Sequence, residues 1–219
     1  MFKYKFLVFL LFLLSLICIN NINAYNNQLP LFGKVIYIDS GHGGNDPGAM
    51  YKNIMEKDIN LKIGKKLEEK LVKLGAIVYM TRYGDYDLAV TYTNNNKRSD
   101  LSRRANLINK TQTDLFISIH LNAENSGLWK GAQVFYNDKN KQNEILAKIF
   151  EKHFKKNLGS KRKSKVDNKL YLLKRVTTPG VLLEMGFLSN ANDRYLLNQD
   201  FYQEKVATVI QNGIIEYFS

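Results

Sequence analysis

Short apolar runs rich in β-branched residues recur along this chain, and most are separated by segments long enough for a helix. KVIYID (Lys34–Asp39), AIVYMT (Ala76–Thr81), LFISI (Leu115–Ile119), GAQVFY (Gly131–Tyr136), LYLLK (Leu170–Lys174) and VLLE (Val181–Glu184) have the length and make-up of strands buried on both faces. Between the first two, Ile59, Ile63, Leu67, Leu71 and Leu74 recur at helical spacing from Glu56, and Gly75 supplies a stop. Helices are expected near Asp100–Asn109, over Asn143–Leu158 and through most of Asp193–Phe218. Strands alternating with helices predict an α/β fold, an open, mostly parallel six-stranded sheet with helices on both faces.

In such a sheet the carboxyl ends of the strands share one rim, where ligands bind. Two of the three histidines and one glutamate fall there: His42 after KVIYID, His120 after LFISI, and Glu184 at the end of VLLE. Glu56 follows the Gly-rich loop SGHGGNDPGAM that leaves the first strand. Each residue has a plainer reading. His42 could be a surface-turn histidine, His120 a core histidine bonded to backbone, and Glu56 a favourable acid in the first turn of its helix. Glu184 is harder to explain that way, because Met185, Gly186, Phe187 and Leu188 follow it and a buried carboxylate needs a partner. The loop is not a phosphate cradle, since Asp46 stands at the third glycine of G-x-G-x-x-G and no GK[ST] follows. Two imidazoles and a carboxylate make a zinc site with an open position, and a spare carboxylate beside it makes a base. The pattern points to a hydrolase.

The 219 residues suit one domain, and a 45% hydrophobic fraction with 3 prolines argues against disorder. Lys3 and Lys5 precede the apolar stretch Phe6–Ile19, with Ala24 as a small residue before a cut. Residues 1–24 therefore read as a secretory signal or an N-terminal anchor. Residues 25–32 form a short lead-in, and residues 33–219 a single catalytic domain. The one cysteine, Cys18, lies in the leader, so the exported part has no thiolate for a disulfide or a metal. The net charge of +12 favours polyanionic surroundings. Export argues against nucleic acid and for a cell wall or membrane surface, although the charge could serve solubility alone. Membrane contact is expected only through the N-terminal segment. His153 and the run Lys161–Lys165 read as solvated, and Trp129 as either a carbohydrate platform or a rim residue on GAQVFY.

DSGHGGNDPGA, EKD, SIHLNA and PGVLLEMGFLSN together resemble the zinc-dependent N-acetylmuramoyl-L-alanine amidases of bacterial cell walls. Arg82 in MTR and Arg104 with Asn109 in LSRRANLIN fit as well, while Ser40 stands where that family usually has proline and Ile108 where it often has alanine. The resemblance implies zinc held by His42, Glu56 and His120, with Glu184 as the catalytic glutamate. It implies peptidoglycan as substrate, cut between the lactyl group of muramic acid and L-alanine. DLA after TRYGD, KRSDL, Leu121 and WKGAQ resemble the spore-cortex branch of the family. That branch implies action in the cell envelope, in the forespore intermembrane space of a sporulating host. Its downstream partner is a muramic deacetylase that completes the δ-lactam, and it leaves room for an accessory activator. Asn137–Lys169 is expected to hold one ordinary helix, with no room for the inhibitory helix of some autolysins.

Arg82 and Asn122 are the substrate-binding candidates. The Arg82 guanidinium suits an anionic peptide or glycan group, with helix-surface pairing as its other reading. Other functions use the same residues differently: a carboxypeptidase acting within the stem peptide, a non-haem iron oxygenase, or a non-catalytic wall-binding module. The oxygenase usually spaces its first histidine and its acid two residues apart, which neither histidine here does with Glu56.

Overall fold

A computed structural model of the chain describes residue 4 and residues 8–15, 29–90 and 96–219. Most of the expected leader and half of the lead-in lie outside the described residues. Residues 8–15 are helical and exposed, and no described helix is long and apolar enough to cross a membrane.

The sheet has six strands: β1 (Val35–Ser40), β4 (Ile77–Met80), β5 (Leu115–Asn122), β6 (Gln133–Tyr136), β7 (Lys165–Val166) and β8 (Gly180–Phe187). Their order is β4-β1-β5-β8-β6-β7. The first four neighbours are parallel, β6 runs antiparallel to β8, and β7 runs parallel to β6. A two-stranded hairpin, β2 (Met50–Tyr51) with β3 (Ile54–Met55), occupies the loop after β1. Beyond the helical residues 8–15, the described helices are α1 (Glu56–Lys73), α2 (Asn96–Lys110), α3 (Lys141–Leu158), α4 (Tyr171–Arg175), α5 (Ala191–Leu197) and α6 (Asp200–Phe218).

Helix ends follow local chemistry. Beyond α1, Gly75 takes a left-handed φ of 89° and its N–H reaches Val72 O. Asn140 caps α3 by accepting from Gln142 N–H, and Gly159 closes it at φ 68°. Helices α1, α3 and α6 pack over one face of the sheet, and α2 and α4 over the other. Ile59, Ile63, Leu67 and Leu71 are the buried stripe of α1, each worth roughly 1.5–3 kcal/mol on leaving water.

Period-2 alternation divides the strand residues between two environments. Ile36, Ile38, Ile117, Ile119, Val181 and Leu183 enter the large apolar core under α1, α3 and α6. The intervening residues face α2 and α4, and toward the carboxyl ends they change character. Tyr37, Phe116 and Leu182 form a small apolar cluster there. Asp39, Ser118, His120 and Glu184 continue those same rows into a cavity.

Two expectations about elements need correction. LYLLK is not a strand: Tyr171–Arg175 is the short helix α4, which buries Leu172 and Leu173 against the sheet. The sixth strand is β7, which begins at the end of the run Lys161–Lys165 that reads as solvated in the sequence. Lys165 and Val166 add to the edge of β6, and Glu151 accepts from Ser164 N and Oγ just before them. His153 is not solvated either: it is half-buried between α3 and α6, with Nε2 3.0 Å from Glu216 Oε2.

Candidate metal centre and active site

His42 follows β1 by two residues, in a left-handed conformation with φ 64°. A non-glycine residue there carries strain of order 1–3 kcal/mol and has to be held. Arg104 Nη2 donates to His42 O at 2.7 Å, and Asp46 Oδ2 lies 2.8 Å from His42 Nδ1. The second contact leaves Nε2 on the side of Glu56, whose Oε1 is 3.2 Å away.

Glu56 opens α1 and is buried, a costly place for a carboxylate without partners. Ala49 N donates to its Oε2 at 2.8 Å, and Leu121 N and Asn60 Nδ2 donate to Oε1 at 2.9 and 3.2 Å. His120, near the end of β5, brings Nδ1 to 3.0 Å from the same Oε1. One ligand atom from each of His42, Glu56 and His120 lies within 4.8 Å of the others. The imidazole planes stand 80° apart with centroids 5.0 Å apart.

The glycines around the three side chains are required by space. A Cβ on Gly41 would fall 2.2 Å from the His120 ring, and one on Gly48 would fall 2.5 Å from Glu56 Oε2.

Electrostatics follow from this crowding. Burial alone would push the Glu56 carboxyl up, but His120 and His42 hold it far below the ordinary range. Burial disfavours the His42 cation, yet Glu56 and then Asp46 reverse that and raise its pKa. Glu184 behaves in the opposite way. Burial pushes its carboxyl up to about 7, opposed by His120, reinforced by Glu56 and opposed by His42. Its Oε2 is shielded from solvent and has no hydrogen-bond partner among the described residues. Glu184 pairs across the sheet with His120 in the parallel register, so strand alternation places both on the cavity face. The cavity, about 230 Å³, is lined by His42, His120, Glu184, Asp39 and Ser118 among others.

The four residues expected at the rim thus share one site. Arg82 does not reach it. That residue is 0% exposed, with Nε donating to Ser40 O, Nη1 to Gly84 O, and Nη2 to Gly41 O and Lys57 O. A guanidinium spent on four backbone carbonyls cannot hold a substrate anion, and it is not a helix-surface pair. It secures the loop that carries His42. Asn122 is half-buried at the end of β5, where the pairing with β8 shifts register, and its O accepts from Leu188 N. Trp129 is exposed, with the Arg162 guanidinium 5.1 Å from its ring.

Sequence reasoning missed the layer beneath the site. Asp39 is buried and accepts from Arg104 Nη1, Thr81 Oγ1 and Ser118 Oγ at 2.9, 2.8 and 2.7 Å. Asp46 was visible only as a departure from a phosphate-loop pattern. Its place four residues after His42 was the available signal.

Comparison with known proteins agrees with this architecture. The sequence pattern of the N-acetylmuramoyl-L-alanine amidase family matches residues 36–216. The chain is 43% identical to the germination-specific N-acetylmuramoyl-L-alanine amidase of Bacillus subtilis, covering 99% of this chain and 96% of that protein. Its fold is similar to that of the CwlD amidase from Clostridioides difficile, solved in complex with the GerS lipoprotein. The TM-score is 0.80 at 38% identity, over 84% of this chain and 98% of that one. It is also similar to an N-acetylmuramoyl-L-alanine amidase from Clostridium difficile 630, with a TM-score of 0.76 at 32% identity over 84% and 96% of the two chains. By sequence and by fold, the chain belongs to the N-acetylmuramoyl-L-alanine amidase family.

Proposed function

We propose that this amidase is a zinc enzyme of the cell envelope that removes stem peptides from peptidoglycan by hydrolysing the amide between the lactyl group of N-acetylmuramic acid and L-alanine. The observation that carries the reading is the convergence of His42, Glu56 and His120 beside Glu184, whose shielded Oε2 has no hydrogen-bond partner among the described residues. The donor set fits zinc: two imidazole nitrogens and one carboxylate oxygen, with a second carboxylate left over. His42 Nε2, Glu56 Oε1 and a His120 ring nitrogen would hold the ion. When bound, zinc lowers the pKa of its water toward about 7 and polarises a carbonyl.

The chain's own residues do the rest. Asp46 fixes the His42 tautomer, keeping Nε2 free as a ligand atom. Glu184, with a raised affinity for a proton, takes one from the attacking water. It then delivers that proton to the L-alanine nitrogen as the carbon–nitrogen bond breaks. The lactyl carbon ends as a carboxylate, and the peptide leaves with a free amine. Asn122, at the rim beyond His120, remains a candidate for contact with substrate.

The likeness to a germination-specific amidase supports a place in spore-cortex maturation, ahead of a deacetylase that completes the muramic δ-lactam. The complex of the similar amidase with a lipoprotein supports an accessory partner here also. Residues 1–24 serve as signal or anchor, and residues 33–219 as the catalytic domain.

Digestion of purified peptidoglycan tests this function. The expected products are intact glycan and stem peptides that begin with L-alanine. Release of D-alanine would make the protein a carboxypeptidase, and new reducing ends a glycan-cleaving enzyme. In a sporulating host, deletion of the gene should leave cortex with full peptides and little δ-lactam.

A further inference from the structure

Helix α3 and the loop after it hold much of the molecule's unbalanced charge. Residues 141–165 contain nine lysines and arginines against two glutamates, a net +7 of the chain's +12. Within the helix, Lys141, Lys148, Lys152, Lys155 and Lys156 fall in an arc of about 100° and along about 22 Å of its axis. The arc lies opposite the buried stripe of Leu146, Ala147, Phe150 and Phe154, so it looks straight out from the sheet. All five lysines are exposed, and Ile145, in the same arc, is 42% exposed. Lys161 and Lys165, both exposed, continue the charge past the helix.

Solubility alone does not explain this face, because lysines elsewhere on the same side of the sheet are balanced by acids. On α1, Lys66 and Lys70 pair with Asp200 and Glu204 of α6, and Lys73 pairs with Glu69. In the α3 arc only Lys152 finds an acid, Glu216. Glu151 is engaged by Ser164 and Lys163. Lys141, Lys148, Lys155, Lys156, Lys161 and Lys165 form no ion pair among the described residues. The helix dipole favours Lys155 and Lys156 in the last turn, but it disfavours Lys141 in the first and gives nothing to Lys148 in the middle. Like charges this close repel unless an anion lies across them.

We propose that the lysine face of α3 binds the anionic headgroups of a bilayer, a membrane contact additional to that of the N-terminal segment. Two observations select lipid over other polyanions. Among the helical residues 8–15, Val8, Phe9, Leu11 and Phe12 are 58–66% exposed. A bilayer offers such side chains an apolar phase beside its charged surface, and a soluble polyanion does not. Ile145, exposed among the lysines, suits the headgroup boundary in the same way. The N-terminal segment also joins the domain on this side: Leu31 is buried in the core beneath α1, α3 and α6, and its N–H donates to Leu74 O at 3.0 Å. An apolar segment and a basic patch are together the two signals that stable attachment requires. The catalytic cavity lies on the other face of the sheet, toward α2 and α4, so this docking turns it away from the bilayer. The inference rests on the envelope setting proposed above, in which the wall lies on that outer side.

The test co-sediments the full chain with vesicles of phosphatidylcholine and with vesicles in which roughly one lipid in three is phosphatidylglycerol. The N-terminal segment inserts into both, so the difference reads the lysine face. Partition should be roughly 100-fold stronger on the anionic vesicles at low ionic strength and should converge in high salt, because each lysine near an anionic surface adds a small, screened attraction. Lys148→Gln with Lys155→Gln and Lys156→Gln should bring that ratio down to roughly threefold, with melting temperature and metal content unchanged. Lys110→Gln with Lys169→Gln and Lys174→Gln removes the same charge from the side of α2 and α4 and should leave the ratio standing. Equal partition of the wild type into the two vesicles overturns the proposal. So does an equal loss in the two triple variants, which would make net charge the cause. Release of the chain from anionic vesicles by polyglycerol phosphate at matched phosphate concentration also overturns it, in favour of a linear polymer. Export is a separate result. Vesicle preference without a reporter signal outside the cytoplasm keeps the lysine face and contradicts the envelope setting, and export without a vesicle preference does the reverse.

Discussion

Glu56 and Glu184 are both carboxylates in one small site, and their surroundings drive them apart. Glu56 accepts from two backbone N–H groups and an amide and faces two imidazoles, so it stays ionised and suits a cation. Glu184 has a shielded oxygen without a partner among the described residues and holds its proton up to about pH 7, as a proton carrier must. The division of labour is tested by substitution. Glu184→Gln should keep metal and fold but lose turnover by about 10²–10⁴-fold, since only proton transfer is removed. Glu56→Gln, and alanine at His42 or His120, should instead lose the metal, measured by elemental analysis. A Glu56→Gln protein that kept its metal beside a fully active Glu184→Gln protein would reverse the assignment. Asp46→Asn tests the layer behind: it weakens the hold on His42 Nδ1, and metal affinity should fall roughly 10–100-fold by competition with a chelator. An unchanged affinity would make Asp46 a turn residue only.

Among the elements, the sheet supports the site through Asp39 on β1 and Arg104 on α2. Burial would raise the Asp39 pKa, but Arg104 beside it, with help from His120 and the Ser118 hydroxyl, lowers it to about 2. A depressed carboxyl stabilises the fold above its unfolded value near 3.8, and that stabilisation is lost as pH falls through about 2. Asp39→Asn should cost about 3–5 kcal/mol at neutral pH, because Arg104 loses a buried partner. The gap between variant and wild type should narrow below pH 4 in denaturant melts; a gap constant with pH would remove Asp39 from the account. Strands were legible where apolar runs lay in the sheet interior: β1, β5 and β8 stand where KVIYID, LFISI and VLLE placed them. LYLLK misled because a four-residue apolar run fits a buried strand and a short helix equally, and tertiary packing of Leu172 and Leu173 decides between them. Strand β7 was illegible for the opposite reason: two residues at a sheet edge, one of them lysine, carry no apolar signal. The His42, Glu56, His120 and Glu184 quartet could be found because strand ends share a rim. Arg82 was misplaced because a guanidinium that clamps backbone carbonyls has the same letter as one that binds substrate.

Over the whole molecule, one face of the sheet is an apolar core and the other grades from apolar to polar toward the strand ends, so the site is the place where the core opens. Export through the N-terminal segment is the part of the proposed function that sets this chemistry relative to the membrane. Residues 1–30 fused to a reporter that works only outside the cytoplasm should give signal; silence would withdraw the envelope setting and return the +12 charge to other polyanions. The central claim is that water adds across the lactyl amide, and its most direct test is hydrolysis of peptidoglycan in ¹⁸O-labelled water followed by mass spectrometry. The account predicts one label per cleavage on the lactyl carboxylate of muramic acid and none on the glycan ends. The released peptide should begin with an unlabelled L-alanine amine. Label at a sugar reducing end or on a peptide carboxylate, with the lactyl amide intact, would contradict it.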